Sequence, residues 1–365
     1  MELNDEGCVE TIRQFVRSNP DIEVYEYIRR GCNGDVYFGK RKKMGDDVVL
    51  KFYWSHPNYD ETEESVILHK IKNDNVLEIK ECRFLPPNFA YFLTPKISGG
   101  DLQGVIDSRP VSSKEALEIV AGILMGLTEL HSNHSLVHRD LKPGNILIDI
   151  AINKPIIADL GAVKKIEQAD GFVTASKSTY LFLPPESIKK NEYYFESDIY
   201  QVGIILYQLL NGFFPINEPI KWLSKKEENQ LNTIRNAEQR DLKFNEIIAN
   251  KIARGSLITS STIPTYLDPI YKRIIDKATH VNYKQRFKNP SFFLKEIHKA
   301  LRETPDYLFE NDLLNISHDN GKKFRIHENS RKQIVLEKSV SNGIWRKDNG
   351  HNGNLDLALS IARRN

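Results

Sequence analysis

His138-Arg139-Asp140-Leu141-Lys142-Pro143-Gly144-Asn145 places an acid, a cation and an amide at fixed offsets along one short stretch of chain. Before it runs a long helical stripe, Ala116, Ile119, Val120, Ile123, Leu124, Leu127 and Leu130. Gly122 and Gly126, four apart, leave room on that helix for close approach of another element. After the octet come two apolar runs, 146–148 and 156–158, flanking a turn at Asn153-Lys154-Pro155, which read as a hairpin. The octet is therefore a loop between a helix and a hairpin. In that setting Asp140 can orient a hydroxyl and accept its proton, and Lys142 can neutralise a transferring phosphoryl group. Asn145 can offer its side-chain oxygen to a hard cation such as Mg2+. Singly, each residue reads as part of a solvated turn; together and in this order they read as a reaction centre.

Working outward, Asp159-Leu160-Gly161 follows the hairpin. Upstream, Gly31-Cys32-Asn33-Gly34-Asp35-Val36 is a glycine loop of the kind whose backbone N–H groups approach phosphates. Val48-Val49-Leu50-Lys51 ends a β-rich run on a lysine, and 61–72 repeats apolar residues with helical period. Tyr91-Phe92-Leu93-Thr94-Pro95-Lys96-Ile97-Ser98-Gly99-Gly100-Asp101 leads from a strand into a glycine break.

This series of motifs resembles the eukaryotic-type serine/threonine protein kinases, with Lys142 leaning to the Ser/Thr rather than the Tyr branch. The resemblance runs in order over about residues 20–303. It implies an α+β, two-lobed fold: a small β-rich N-lobe with one key helix and a larger, mainly helical C-lobe. It implies ATP and Mg2+ as cofactors and protein substrates as partners. By the same resemblance Asp140 orients the substrate hydroxyl and Lys142 offsets charge. Lys51 pairs with the phosphates and with Glu64, chosen over Glu61 and Glu63 because Leu68 follows at the family spacing. Asn145 and Asp159 hold the metal. Gly31, Gly34, Val36, Val49, Thr94, Pro95, Ile97, Asp101 and Leu147 are expected around the nucleotide, with Thr94 as gatekeeper and Asp101 on the ribose. Thr179, Glu186, Asp198 and Arg286 match structural anchors. Thr174 and Ser176 are the expected switch phosphosites of a segment running from 159 to 186, and autophosphorylation there is expected. Arg29 in place of the first loop glycine and Leu160 in place of phenylalanine depart from the family pattern, and neither removes a catalytic group. Gly144 stands where basophilic members carry an acid, which leans against arginine-directed substrates.

Residues 1–20 read as a leader with an amphipathic helix over 5–17, residues 21–97 as the N-lobe and 98–303 as the C-lobe. Helices are expected at 224–254, 267–279 and 290–302. The segment 304–365 reads as a small accessory α+β extension, with strands at 323–326, 333–336 and 343–345 and a terminal helix at 355–364. In 365 residues, 51 Lys plus Arg against 49 Asp plus Glu exclude a broadly basic nucleic-acid coat, and nucleic acid is not expected on 304–365. Three widely spaced cysteines, Cys8, Cys32 and Cys82, support neither a disulfide framework nor a zinc site. MELNDEGC lacks an apolar core and no stretch is long enough to cross a bilayer, so a cytoplasmic protein with no membrane partner is expected. The alternative reading is a nucleotide-binding pseudokinase or scaffold whose C-terminal segment recruits partners. Retention of Lys51, Asp140, Asn145 and Asp159 speaks against it. A small-molecule kinase is disfavoured by Lys142, Glu186, Asp198 and Arg286.

Overall fold

The computed structural model describes residues 8–29, 34–54, 67–86, 88–150, 152, 154–168, 171–175, 180–339 and 343–364. Gly31, Glu64, Ser176 and Thr179 lie outside the described residues.

The N-terminal part is an antiparallel sheet of β1 (Ile22–Arg29), β2 (Asp35–Arg41), β3 (Asp47–Trp54), β4 (Glu81–Leu85) and β5 (Phe89–Pro95), in the order β1-β2-β3-β5-β4. Side chains alternate across it. Val48, Leu50, Phe52, Tyr91 and Leu93 face one way, into a core closed by helix α1 (Glu10–Arg17) through Ile12 and Val16. Phe15 of α1 adds edge contact to Phe52, with ring centroids 6.0 Å apart. Val49, Lys51, Phe92 and Thr94 face the other way and line a cleft. The helix expected from residue 5 begins at Glu10. Residues 67–70 are helical, in line with the expected helix over 61–72, of which 61–66 lie outside the described residues.

The larger part is helical: α2 (Leu102–Ser108), α3 (Ser113–Thr128), α4 (Pro185–Lys190), α5 (Phe195–Leu209), α6 (Lys225–Asn232), α7 (Ala237–Arg254), α8 (Pro269–Ala278) and α9 (Pro290–Glu303). Helix α5 is buried on nearly every side, as its all-round apolar sequence requires. The run expected as one helix over 224–254 is two, because Asn236 starts α7 by accepting the Gln239 N–H (2.9 Å). The hairpin is β7 (Ile146–Asp149) with β8 (Lys154–Ile157), so Lys154 and Pro155 belong to the strand and not to the turn. Short strands β6 (Leu136–Val137) and β9 (Lys164–Lys165) pair, as do β10 (Val173–Thr174) and β11 (Glu192–Tyr193).

The two parts meet a second time beside α3. Asn75 Nδ2 donates to the Pro155 carbonyl (2.8 Å), Ile157 N to the Asn75 carbonyl (2.8 Å) and Leu77 N to the Ile157 carbonyl (2.8 Å). This approach needs the two glycines of α3. A Cβ on Gly122 would sit 2.4 Å from the Pro155 ring, and one on Gly126 2.5 Å from the Asn75 carbonyl oxygen.

Residues 306–348 form a sequential antiparallel sheet, β12 (Asp306–Glu310), β13 (Leu313–Ser317), β14 (Lys323–Glu328), β15 (Ile334–Ser339) and β16 (Trp345–Asp348), followed by α10 (Leu355–Arg363). The first hairpin was not anticipated from sequence. Asn311 and Asp312 turn it with positive φ of 51° and 60°, a conformation these two residue types tolerate well. The strand expected at 343–345 runs over 345–348 instead, paired to β15.

Candidate active site

The octet is suspended from α5. Asp198 is fully buried and its carboxylate accepts the backbone N–H groups of His138 (2.8 Å) and Arg139 (3.0 Å), His131 Nε2 (2.8 Å) and the Tyr193 hydroxyl (2.6 Å). Burial alone would raise its pKa; the hydrogen bonds and charge of His131, with His138 and Tyr193 adding to them, hold it below the ordinary carboxylate value. Arg139 takes a left-handed φ of 69°, which turns the chain after these two N–H groups toward Asp140. Three residues further along α5, Gln201 accepts the Leu141 N–H (2.8 Å) and donates to the Phe182 carbonyl (3.2 Å).

Within the loop Asp140 is the focus. Its Oδ2 receives Lys142 Nζ (2.9 Å) and Asn145 Nδ2 (2.9 Å), and Asn145 Nδ2 also donates to the Asp140 carbonyl (2.7 Å). Asp140 Oδ1 is buried and has no hydrogen-bond partner among the described residues. Asn145 spends its amide nitrogen on Asp140, so its oxygen is the atom it can offer to a cation. His138 donates from Nε2 to the Ala158 carbonyl (2.9 Å), and its Nδ1 lies 3.3 Å from the Asp140 N–H. Ala158 N donates in turn to the Asn145 carbonyl (2.9 Å), tying the loop to the strand that delivers Asp159.

Asp159 has a left-handed backbone (φ 58°) and forms an ion pair with Lys51 across the cleft. Burial opposes its charge most strongly, but the charge and hydrogen bond of Lys51, with smaller contributions from its neighbours, together lower its pKa. Between these groups lies a cavity lined by Val36, Val49, Thr94, Pro95, Ile97, Asp101 and Leu147 from the expected set, together with Phe38, Leu77, Ile79, Phe92 and Lys96. Gly34 has a φ of 87°, and a Cβ there would lie 1.9 Å from the Phe52 carbonyl oxygen, so only glycine fits. Asp101 also caps α2, accepting the Gly104 N–H (2.9 Å).

The later anchors come together away from the cleft. Arg286 grips Glu186 through two parallel bonds of 2.8 Å, and Ser197 Oγ donates to the same carboxylate (2.5 Å). Arg139 reaches the segment beyond Asp159, donating from Nε to the Ala162 carbonyl (2.6 Å) and from Nη1 to the Thr174 carbonyl (2.8 Å). Thr174 is exposed on β10.

Sequence reasoning missed Gln201, which accepts from the loop, and His131 and Tyr193, which brace Asp198 beneath it. Their partners lie 60, 67 and 5 positions away, and nothing in a polar residue on a helix or short strand signals such a pairing. It also missed Phe38 and Lys96. Strand alternation from Val36 could have placed Phe38 on the cleft face.

The protein kinase domain family model matches residues 22–299, and the chain belongs to that family. It is similar to serine/threonine-protein kinase TIO of Arabidopsis thaliana, 30% identical over 198 residues, or 53% of this chain and 15% of that protein. It is similar to serine/threonine-protein kinase D3 of Homo sapiens, 31% identical over 218 residues, or 56% of this chain and 24% of that one. A probable LRR receptor-like serine/threonine-protein kinase of Arabidopsis thaliana is 30% identical over 227 residues, 59% of this chain and 24% of the other. The matches thus span a quarter or less of each relative's length. A protein kinase domain implies use of ATP, typically with Mg2+, and a protein substrate. Among the described residues no helix is long and apolar enough to cross a membrane.

Proposed function

We propose that the chain is an active protein kinase that transfers the γ-phosphoryl group of ATP to serine or threonine hydroxyls. The observation that carries this is the convergence of Asp140, Lys142, Asn145, Asp159 and Lys51 at one end of the cleft, with Asp140 Oδ1 left as a buried, unpartnered acceptor. The Ser/Thr assignment rests on Lys142 and on the similarity to the serine/threonine-protein kinases above.

The residues fit the implied cofactor. ATP with Mg2+, when bound, supplies the transferable phosphoryl group and the cations that neutralise it. Among the described residues no group of three or more His, Cys, Asp and Glu forms a metal cage. None is needed, since Mg2+ is commonly held by one or two protein oxygens plus phosphates; Asn145 and Asp159 would provide those oxygens. Gly34 lets the backbone of the glycine loop approach the phosphates, while Val36, Val49 and Leu147 provide apolar walls for the base. The Pro95 carbonyl and Ile97 N–H are the hinge groups that would face it. Lys51 orients the phosphates. Asp140 Oδ1 receives the substrate hydroxyl, orients it and takes its proton. Lys142, held on Oδ2, stands beside the same centre to offset developing charge. Most of the rate gain is positioning and electrostatics. Thr174 and Ser176 are proposed as autophosphorylation sites, and Glu64 as the helix partner of Lys51.

The test is incubation of the purified chain with labelled ATP, Mg2+ and a serine/threonine peptide pool, beside Asp140→Ala. Loss of a general base lowers rate by roughly 10²–10⁴-fold. Label on serine or threonine in the wild type, lost in Asp140→Ala while ATP still binds, is the expected result. Equal labelling by both would sink the assignment. Label on tyrosine alone would leave the kinase and remove the Ser/Thr specificity.

A further inference from the structure

Among the described residues, none from 306–364 lines the cleft. They are joined to the helical lobe at three places. At the start of α3, Ser112 caps one orphan donor by accepting the Glu115 N–H (3.3 Å). The next donor, Lys114 N, is taken by Asp306 Oδ1 (2.8 Å), a residue 192 positions further on. Asp306 Oδ1 also lies 3.3 Å from Ser113 Oγ, which accepts the Tyr307 N–H (2.9 Å). The N-terminal cap of α3 is thus completed by β12.

The second joint is the loop before α8. Arg363 Nη2 lies within 3.3 Å of the carbonyls of Thr265, Tyr266 (2.8 Å) and Leu267 (3.2 Å), and the Tyr307 hydroxyl donates to Asp268. His318 Nε2 donates to the Ala362 carbonyl (2.6 Å), so α10 cannot leave without the sheet. The third joint is apolar. Tyr307, Ile316, Phe324, Leu336 and Leu359, all buried, belong to the same continuous core as α3, α5 and α9. A tethered recruiting arm would close its own core and touch its neighbour through a small, mainly polar interface, leaving it free to move.

We infer that 306–364 is a built-in brace of the catalytic unit: it completes the N-terminal cap of α3 and it locks the loop that precedes α8. Helix α3 runs from the brace to Thr128, and the π-helical turn Glu129–Asn133 that follows it carries His131, which holds Asp198, so the brace fixes the near end of the helix that leads to the anchor of the loop. This assignment stands whether or not phosphoryl transfer is confirmed, because its readouts are structural.

The experiment is amide hydrogen exchange on the full chain, with Asp306→Ala, Arg363→Ala and the exposed control Lys323→Ala. In the wild type the amides of β13 and β14 are expected to exchange in the same slow class as those of α5. Asp306→Ala is expected to speed exchange at 114–117 at least tenfold and to lower Tm by about 1–3 °C, as loss of a cap in a chain of this size does. Arg363→Ala is expected to loosen 265–268 and α10 together, and Lys323→Ala to change neither region. Exchange of wild-type β13 and β14 a hundredfold faster than α5 would show an independently opening module and overturn the inference. So would wild-type protection of α3 in Asp306→Ala. The wild-type comparison decides even if a variant fails to fold.

Discussion

Replacing Glu186 by Gln removes the charge opposite Arg286 and keeps the shape. The Arg286 side chain is fully buried and Glu186 is 6% exposed, so neither can turn to water. Two bonds between opposite charges become at most one, from the guanidinium to a neutral amide oxygen. Breaking a buried pair by removing one partner costs about 3–5 kcal/mol, chiefly because the survivor is left charged and dry. Here Arg286 keeps the carbonyls of His280 (2.8 Å) and Glu196 (2.9 Å) and the ring of Tyr200, 4.8 Å away. Those acceptors place the expected loss at the low end, about 3 kcal/mol, or roughly a hundredfold in the folding equilibrium. With an unfolding entropy of about 2.1 cal/mol/K per residue over 365 residues, this is a fall in Tm of about 4 °C. The assay is urea unfolding at low and high salt. A buried pair is screened little, so the loss should hold across ionic strength. Glu186→Gln with Arg286→Met removes the stranded charge and should recover most of the stability. A single-variant loss below about 1 kcal/mol, or one that grows as salt is lowered, would class the pair with exposed ion pairs and refute the reasoning.

Burial raises the pKa of Glu196, so the folded chain holds its proton more tightly than the unfolded chain does, and ionisation costs stability as pH rises past the ordinary carboxylate value. Glu196→Gln should therefore be more stable than wild type at neutral pH and equal to it below about pH 4, as read from unfolding midpoints across pH. Asp198 carries the opposite sign: its lowered pKa contributes stability above about pH 4 that is lost as pH falls through the folded value, and Asp198→Asn should flatten the acid limb of the same curve. Gly126→Ala gains helix propensity of about 1 kcal/mol but drives a Cβ to 2.5 Å from the Asn75 carbonyl oxygen; overpacking of about 1–3 kcal/mol should win, seen as a lower Tm. Lys51→Met removes the partner of Asp159 and should reduce peptide phosphorylation by roughly 10²–10³-fold, read from kcat/KM, with Tm little changed.

Much of this arrangement is legible without coordinates because it is local. The helix before the octet, the hairpin after it and the β-rich runs around Lys51 and Thr94 each declare themselves by period and by their glycine and proline boundaries. Val36, Val49, Thr94 and Leu147 are brought together at the cleft as the sequence suggests. What escaped is of two kinds. Some signals are local but faint: the break between α6 and α7 turns on one asparagine cap, the hairpin at Asn311-Asp312 carries no glycine to announce it, and the bond of Tyr193 to Asp198 looks like any tyrosine near an acid. Others depend on distant partners, as His131 and Gln201 do, 67 and 60 positions from the groups they bind. The brace is the extreme case, with a helix cap supplied from 192 residues away.

The contact of Asn75 with Pro155 has a consequence for motion. Among the described residues, the sheet-bearing part is hydrogen-bonded or chained to the helical part at the covalent strand exit, 95–101, and again through the bonds of 75–77 to 155–157, two of them backbone and one from the Asn75 side chain. Two fixed points define a line. Relative movement that keeps both joints intact is rotation about that line, the motion of a door on two pins. The Lys51–Asp159 ion pair, reaching across the cleft, is then the latch: opening breaks it, closing remakes it, and twisting or sliding of one part over the other would first have to tear out a pin.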